Sequence, residues 1–228
     1  MQKLLTAPPI IKKSRVFIVD DHPLICEGLT RYINQQPDLA ACGQAMSRHT
    51  ALKAIIESKP DVVIVDITLK SDSGMDLIKD LSLRSSKSCI LVLSMHEESL
   101  YAERALQAGA KGYIMKQEPL KEVLRAIRRI LEGEIYLSEK MGAKMLHRIA
   151  DNQPGTSTLS VGQLSNRELQ VFQFIGQGHG TRQIAEELHI SAKTVESYRA
   201  HIKLKLDLKN AHELTQHAVH WVESNHLN

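Results

Sequence analysis

The sequence predicts two domains, a doubly wound α/β domain with a five-stranded parallel sheet and a small all-α domain of four helices. Three observations predict this arrangement. The chain has 228 residues, which is longer than one typical domain. Apolar runs alternate with helical patterns five times over residues 15–132, and runs without polar alternation are typical of parallel strands buried on both faces. After residue 160 only helical spacing is present.

The first domain is predicted to span residues 15–132. Its expected strands are 15–20, 39–45, 62–66, 89–94 and 112–115, of which 39–45 has the weakest pattern. Its expected helices are 23–35, 49–58, 76–83, 98–108 and 119–131. Pro23 opens the first helix, where its missing N–H costs no hydrogen bond.

Residues 133–160 are predicted to link the domains and to contain a helical segment over 138–149. Residues 151–162 are rich in Pro, Gly, Ser and Thr, which favours a linker. The second domain, 161–226, is expected to form helices over 165–176, 181–189, 191–206 and 210–224. Ser165 with Glu168 makes a capping box, Asn210 with Glu213 resembles one, and Ser191 suits an N-cap.

Composition narrows the class of protein. Apolar residues make up 43% of the chain, enough for two ordinary cores. The formal net charge is +3, but the segment from Ser160 onward contains seven basic and seven acidic residues and is neutral overall. Bulk charge therefore does not argue for nucleic-acid binding. The three cysteines are widely spaced, which disfavours a disulfide or zinc site. No apolar run approaches membrane-spanning length, so we expect a cytoplasmic protein without a membrane partner.

Reactive side chains stand where the predicted strands end. The carboxyl ends of parallel strands share one edge of a sheet, where ligands bind. The residues there are Asp20, Asp21, Asp66, Ser94 and Lys116. Clustered carboxylates favour Mg²⁺, and a carboxylate can attack phosphorus to form an aspartyl phosphate. A lysine, a hydroxyl and a metal ion would stabilise the negative charge of the transferred group.

This set resembles the receiver domain of two-component response regulators, a flavodoxin-like fold, over about residues 15–131. The segments DITLKSDSGMDLIKDL and HEESLYAERALQAGAKGYIMK match it along their length. The resemblance implies that a sensor histidine kinase phosphorylates Asp66 and that Ser94 and Lys116 contact the phosphate. It implies a switch made by Ser94 and Tyr113. It also implies an Mg²⁺ site formed by Asp20, Asp21, Asp66 and the backbone carbonyl of Thr68.

One position departs from that family. A proline usually follows the phosphorylated aspartate by four residues, and here Lys70 takes its place. Proline would stiffen the loop by fixing φ, so the lysine leaves the lifetime of the phosphate open. A single aspartate at a strand end is more often a loop or cap residue. Five matching residues at four strand ends favour the receiver interpretation.

The second domain contains a predicted helix-turn-helix. Val195, Ile202 and Leu206 form one apolar stripe on its second helix. The segment from about Leu164 to Val222 resembles the LuxR-type domain of the NarL/FixJ branch of response regulators, in which this helix enters the major groove. The expected DNA-binding residues are Lys193, Thr194, Glu196, Ser197, Arg199, Ala200 and Lys203. Glu196 stands where lysine is common, so the base preference is open.

The resulting hypothesis is a transcription regulator, not an enzyme, that is controlled by phosphorylation and binds double-stranded promoter DNA. It implies a homodimer when phosphorylated. One alternative is a regulator or protein-binding module that uses the same fold without phosphorylation. Another is an aspartate-nucleophile phosphatase, which needs a second acid two residues after the nucleophile. Thr68 at that position argues against the phosphatase.

Overall fold

The computed structural model describes residues 12–69, 72–84, 87–150 and 159–226. In the first domain the strands are β1 Ser14–Val19, β2 Leu39–Ala45, β3 Val62–Val65, β4 Cys89–Ser94 and β5 Gly112–Met115. The helices are α1 Pro23–Asn34, α2 Arg48–Ser58, α3 Gly74–Leu83, α4 Glu98–Ala108 and α5 Leu120–Leu131. Each lies within two residues of its predicted bounds.

The five strands are parallel and lie in the order β2-β1-β3-β4-β5. The order reverses direction between β1 and β3, and in doubly wound folds this switch point is where ligands bind. The predicted fold class of the first domain is therefore confirmed.

Both faces of the sheet are covered by helices. In β1, Val16 and Ile18 pack against α1 and α5, and Phe17 and Val19 face the layer formed by α2, α3 and α4. All four side chains are buried. Burial on both faces explains why the strand sequences are uniformly apolar.

The helices of the second half are α6 Glu139–Ala150, α7 Leu159–Gly162, α8 Asn166–Gly176, α9 Thr181–Glu187, α10 Ala192–Lys205 and α11 Ala211–His226. The capping box of Ser165 and Glu168 at α8 and the N-cap of Ser191 at α10 are both present. Val195, Ile202 and Leu206 are buried, so the predicted apolar stripe of α10 is confirmed.

The helical turn α7 was not predicted, because Leu159–Gly162 was assigned to the linker. Two contacts explain why this segment is ordered. Val161 is buried, and Arg104 of α4 donates hydrogen bonds to the carbonyl oxygens of Val161 and Leu164 at 2.9 and 2.8 Å. The rest of the predicted linker, residues 151–158, lies outside the described residues, as does Lys70. The predicted domain boundaries stay predictions.

The two domains pack against each other. One buried apolar cluster continues from the α2–α3–α4 side of the sheet into the core of the helical domain, where it includes Leu164, Leu169 and Val171. The helical domain therefore sits on the same side of the sheet as α3 and α4, close to the carboxyl ends of the central strands.

Candidate functional site

Backbone hydrogen bonds fix the residues that follow the strand ends. The N–H groups of Asp20, Asp66 and Lys116 donate to carbonyl oxygens of neighbouring strands at 3.1, 2.8 and 2.7 Å. The sheet ladder thus continues one residue beyond β1, β3 and β5. Their side chains point into one shared pocket as a consequence.

Lys116 joins the two central carboxylates of this pocket. Its Nζ lies 2.6 Å from Asp66 Oδ2 and 2.7 Å from Asp20 Oδ2. Asp20, Asp21, Asp66 and Ser94 are all buried. The structure therefore brings together the predicted strand-end carboxylates and the lysine.

Burial changes the acidity of these groups. It raises the pKa of Asp66 from its ordinary 3.8 to about 6, against the opposing effect of Lys116. Burial alone would lower the pKa of Lys116, but Asp66 and Asp20 outweigh it, and the pKa is raised. Lys116 therefore stays charged at neutral pH and holds the Asp66 carboxylate in place.

The donor set fits a hard divalent cation. Asp20, Asp21, His22 and Asp66 offer ligand atoms that lie within 4.8 Å of one another. Asp21 Oδ1 is buried and has no hydrogen-bond donor among the described residues. His22 Nδ1 is 2.8 Å from that oxygen, a distance short enough for an ion pair, but without the orientation of a hydrogen bond. An unpaired buried carboxylate oxygen is costly unless a cation binds it.

His22 was missed by the sequence analysis. Its backbone N–H and its Nδ1 lie 2.9 and 3.0 Å from Asp20 Oδ1. The available signal was its position directly after the acidic pair. Its side chain is largely exposed.

Thr68 and Ser94 border the pocket next to Asp66. The Thr68 N–H donates to Asp66 Oδ1 at 3.1 Å. Ser94 Oγ accepts a hydrogen bond from the His96 N–H at 3.2 Å, and the hydroxyl of Tyr113 donates to the His96 carbonyl at 2.8 Å. His96 thus links Ser94 and Tyr113, the two predicted switch residues.

Gly74 allows α3 to pack closely against the pocket. A Cβ atom at this position would lie 1.9 Å from the backbone carbonyl oxygen of Asp66. The glycine is therefore required for the close approach of α3 to the strand end that carries Asp66.

The predicted DNA-binding residues lie along α10. Lys193, Glu196, Ser197 and Ala200 are exposed, and Thr194, Arg199 and Lys203 are partly buried. Glu196 accepts a hydrogen bond from Thr181 Oγ1 at 2.6 Å, which orients its carboxylate. Lys205 forms an ion pair within the same domain, with its Nζ 2.6 Å from Glu168 Oε2.

Comparison with known families decides the identity. The family described as "Response regulator receiver domain" matches residues 16–128, and "Bacterial regulatory proteins, luxR family" matches residues 162–218. The Oxygen regulatory protein NreC of Staphylococcus haemolyticus (strain JCSC1435) is 33% identical over 211 residues, which cover 90% of this chain and 96% of that protein. The chain is a two-component response regulator of the LuxR type.

Solved structures agree with this assignment. A LuxR-family response regulator from Aurantimonas sp. SI85-9A1 is 30% identical with a TM-score of 0.56, covering 61% of this chain and 99% of that one. RcsB from Salmonella enterica serovar Typhimurium, solved on promoter rprA with the phosphomimetic BeF3−, has a TM-score of 0.58 at 22% identity. It covers 91% of this chain and 99% of that one, and supports the fold alone.

The response regulator thus has a receiver domain, which carries the acidic pocket, and a helix-turn-helix DNA-binding domain, which carries α10. Phosphorylation-controlled transcription regulation is the function of this class. None of the helices within the described ranges is long and apolar enough to cross a bilayer.

The DNA-binding domain of this response regulator reaches the rim of the acidic pocket, which the sequence analysis did not predict. Gln170 of α8 donates from Nε2 to Thr68 Oγ1 at 3.0 Å. Arg167 donates to the backbone carbonyls of Leu69 and Asp72. Gln173 accepts from the hydroxyl of Tyr101 at 3.3 Å.

Proposed function

We propose that Asp66 is the phosphate acceptor of this response regulator and that phosphorylation there controls its binding to promoter DNA. The observation that carries the proposal is the Lys116–Asp66 pair, at 2.6 Å, inside a buried pocket that also holds Asp20 and Asp21. A buried carboxylate beside one fixed cation and further acids is arranged for a charged reactant, not for packing.

The chemistry is a phosphoryl transfer to a carboxylate. An oxygen of the Asp66 carboxylate attacks the phosphorus of a phosphohistidine on a sensor histidine kinase. The new P–O bond forms as the P–N bond breaks, and the departing imidazole nitrogen takes up a proton. Lys116 and the Ser94 hydroxyl stabilise the oxygens of the transferred group.

The acidic pocket is proposed to bind Mg²⁺, which would neutralise charge on the phosphoryl oxygens when bound. Asp20, Asp21, Asp66 and the backbone carbonyl of Thr68 would hold it. Asp21 Oδ1, which is buried and accepts no hydrogen bond from the described residues, supports this assignment. All the proposed ligands are oxygens, which suit Mg²⁺ better than a softer metal.

The phosphate adds charge next to two linked residues. Ser94 and Tyr113 are both hydrogen-bonded to the backbone of His96, so a change at Ser94 is transmitted to Tyr113. We propose that they form the switch, and that the switched state frees the DNA-binding domain and favours a homodimer. A dimer doubles the DNA contacts and sets the half-site spacing.

The DNA contacts are proposed to come from α10, through Lys193, Thr194, Glu196, Ser197, Arg199, Ala200 and Lys203. Lys193, Arg199 and Lys203 would contact phosphates, which fixes position, and Glu196 would contact a base edge. A regulator that binds chromosomal DNA is proposed to work in the cytoplasm.

A phosphate-affinity gel tests the acceptor. Wild type and Asp66→Asn are incubated with acetyl phosphate and Mg²⁺. The proposal predicts a retarded band for wild type and none for Asp66→Asn. A phosphorylation-independent regulator would show no band in either protein, which would refute the proposal.

A further inference from the structure

A hydrogen-bonded chain of side chains crosses the domain interface and ends at the phosphorylation pocket. Its members are Arg167 and Gln170 of the DNA-binding domain and Thr68 and His96 of the receiver domain. Arg167 Nη1 lies 3.0 Å from Gln170 Oε1, Gln170 Nε2 lies 3.0 Å from Thr68 Oγ1, and Thr68 Oγ1 lies 2.8 Å from His96 Nε2.

The direction of each hydrogen bond follows from the chemistry of the groups. A guanidinium has donors only, so the Gln170 atom that faces Arg167 is the oxygen. The Gln170 amide nitrogen therefore faces Thr68 and donates to its hydroxyl oxygen. The Thr68 hydroxyl is then free to donate to His96 Nε2. The amide of Gln170 thus fixes the orientation of the Thr68 side chain.

Of the two receiver residues in this chain, Thr68 contacts the reacting carboxylate and His96 contacts the switch residues. Thr68 donates its N–H to Asp66 Oδ1, and its carbonyl is a proposed ligand of the metal ion. His96 donates its N–H to Ser94 Oγ and accepts from Tyr113 through its carbonyl. Gln170 therefore contacts Thr68 of the metal-ligand loop directly, and its Nε2 also lies 3.3 Å from His96 Nε2, next to the switch pair.

Arg167 strengthens the same contact. Its Nη2 donates to the carbonyls of Leu69 and Asp72, so the guanidinium binds these two residues while its Nη1 orients Gln170. Gln170 is itself buried. The hydrogen bonds around it are part-buried, and such a network favours one arrangement over its alternatives.

We propose that Gln170 is a positioning residue of the phosphorylation site. Through Thr68 and His96 it holds the pocket in the arrangement of the docked DNA-binding domain, and it thereby slows the phosphorylation of Asp66. The inference rests on the proposed function of Asp66 as phosphate acceptor.

Thermodynamic linkage gives the direction in which docking affects phosphorylation. The Gln170–Thr68 contact exists only when the domains are docked, and phosphorylation of a regulator that releases its DNA-binding domain must act against docking. Coupling between two events is reciprocal, so docking acts equally against phosphorylation. Loss of the Gln170 contact should therefore raise the population of the undocked chain, and the phosphorylation rate rises with that population because the undocked pocket is the reactive form.

The test compares initial phosphorylation rates of the full-length chain with acetyl phosphate and Mg²⁺, measured on phosphate-affinity gels. Gln170→Ala should be phosphorylated about fivefold faster than wild type, the worth of one ordinary hydrogen bond. Gln170→Met keeps the side-chain length without the amide and should show the same increase, which guards against misfolding of the alanine variant.

A double-mutant comparison separates positioning from a general loosening of the interface. In the Thr68→Val background the Gln170→Ala effect should become smaller, because the target hydroxyl is absent and only the 3.3 Å contact with His96 Nε2 remains. Gln173→Ala is the matched control, since Gln173 lies on the same helix but binds Tyr101. Its effect should be the same in both backgrounds.

Two outcomes would overturn the inference while leaving the proposed function intact. Wild type could gain Asp66-dependent phosphate at the same rate as both Gln170 variants. Alternatively, Gln170→Ala could accelerate phosphorylation by the same factor in the wild-type background and in the Thr68→Val background. If wild type gains no Asp66-dependent phosphate at all, the proposed function fails and the inference fails with it.

Discussion

Lys116 Nζ lies 2.6 Å from Asp66 Oδ2, and both side chains are almost completely buried. The same ammonium group is 2.7 Å from Asp20 Oδ2, so one cation neutralises two carboxylates of the pocket. This pair joins the ends of β3 and β5, two strands that are not adjacent in the sheet. We therefore expect this pair to stabilise the receiver domain.

Lys116→Met should destabilise the receiver domain. Removal of one partner leaves buried carboxylates without their counter-ion, which costs roughly 3 kcal/mol of the free energy of unfolding. Urea denaturation in the presence of a chelator measures this loss. Added Mg²⁺ should recover part of it, because the metal replaces the missing cation.

The matched control is Lys121→Met, since Lys121 is exposed on α5. It should leave the denaturation midpoint unchanged with or without Mg²⁺. Equal midpoints for Lys116→Met and Lys121→Met would show that the Lys116 ion pair contributes nothing.

Asp66→Asn should stabilise the metal-free protein in a pH-dependent way. The pKa of Asp66 is raised from 3.8 to about 6, so its charged form is less favourable in the folded than in the unfolded chain. This cost is absent below pH 3.8, grows as pH rises between the two values and is complete above about pH 6. A shift of this size corresponds to roughly 3 kcal/mol.

Denaturation of both proteins in chelator at several pH values provides the measurement. Asp66→Asn should be more stable than wild type at pH 7, and the difference should vanish near pH 4. A difference that is independent of pH would show that burial does not penalise the Asp66 charge.

Gly74→Ala should distort the acidic pocket, because Gly74 lies against the backbone of Asp66. The added methyl group would lie 1.9 Å from the Asp66 carbonyl oxygen, so α3 or the strand end must shift. We expect a loss of roughly 1–3 kcal/mol in stability, together with weaker Mg²⁺ binding in a fluorescence or calorimetric titration. Gly28→Ala is the control, because nothing lies within 4 Å of its Cβ and alanine favours a helix. Loss of Mg²⁺ affinity in both variants would contradict the assigned role of Gly74.

The acidic site was predictable from the sequence because strand geometry alone determines it. Asp20, Asp66 and Lys116 each follow an apolar run directly, and the ladder of the parallel sheet places such residues at one edge. The capping box of Ser165 was predictable for a similar reason, since its two partners are three residues apart.

The contact between the domains was not predictable in this way. Gln170 and Thr68 are 102 residues apart, and neither has a local pattern that indicates its partner. The turn Leu159–Gly162 was likewise missed because Arg104, on a distant helix, binds its carbonyl groups. Local patterns do not report tertiary contacts, so these features required the structure.

Lys193→Ala combined with Arg199→Ala should weaken promoter binding by the phosphorylated protein. Each cation that contacts a DNA phosphate releases about one counter-ion, so the slope of log affinity against log salt should fall by about 2. Fluorescence anisotropy with labelled promoter DNA at several salt concentrations measures both values.

Lys121→Ala with Lys140→Ala makes the same charge change on α5 and α6, outside the DNA-binding domain, and should leave the slope as it is. An unchanged slope in the α10 variant would mean that another surface contacts the DNA.

The most direct test of the central claim is to locate the phosphorylated residue. The full-length chain is phosphorylated with acetyl phosphate and Mg²⁺, reduced with borohydride and mapped by peptide mass spectrometry. Reduction converts an aspartyl phosphate to homoserine. We predict homoserine at position 66, dependent on the phosphodonor, and none at Asp20 or Asp21. Homoserine at another aspartate, or at none, would contradict the assignment of Asp66 as the acceptor.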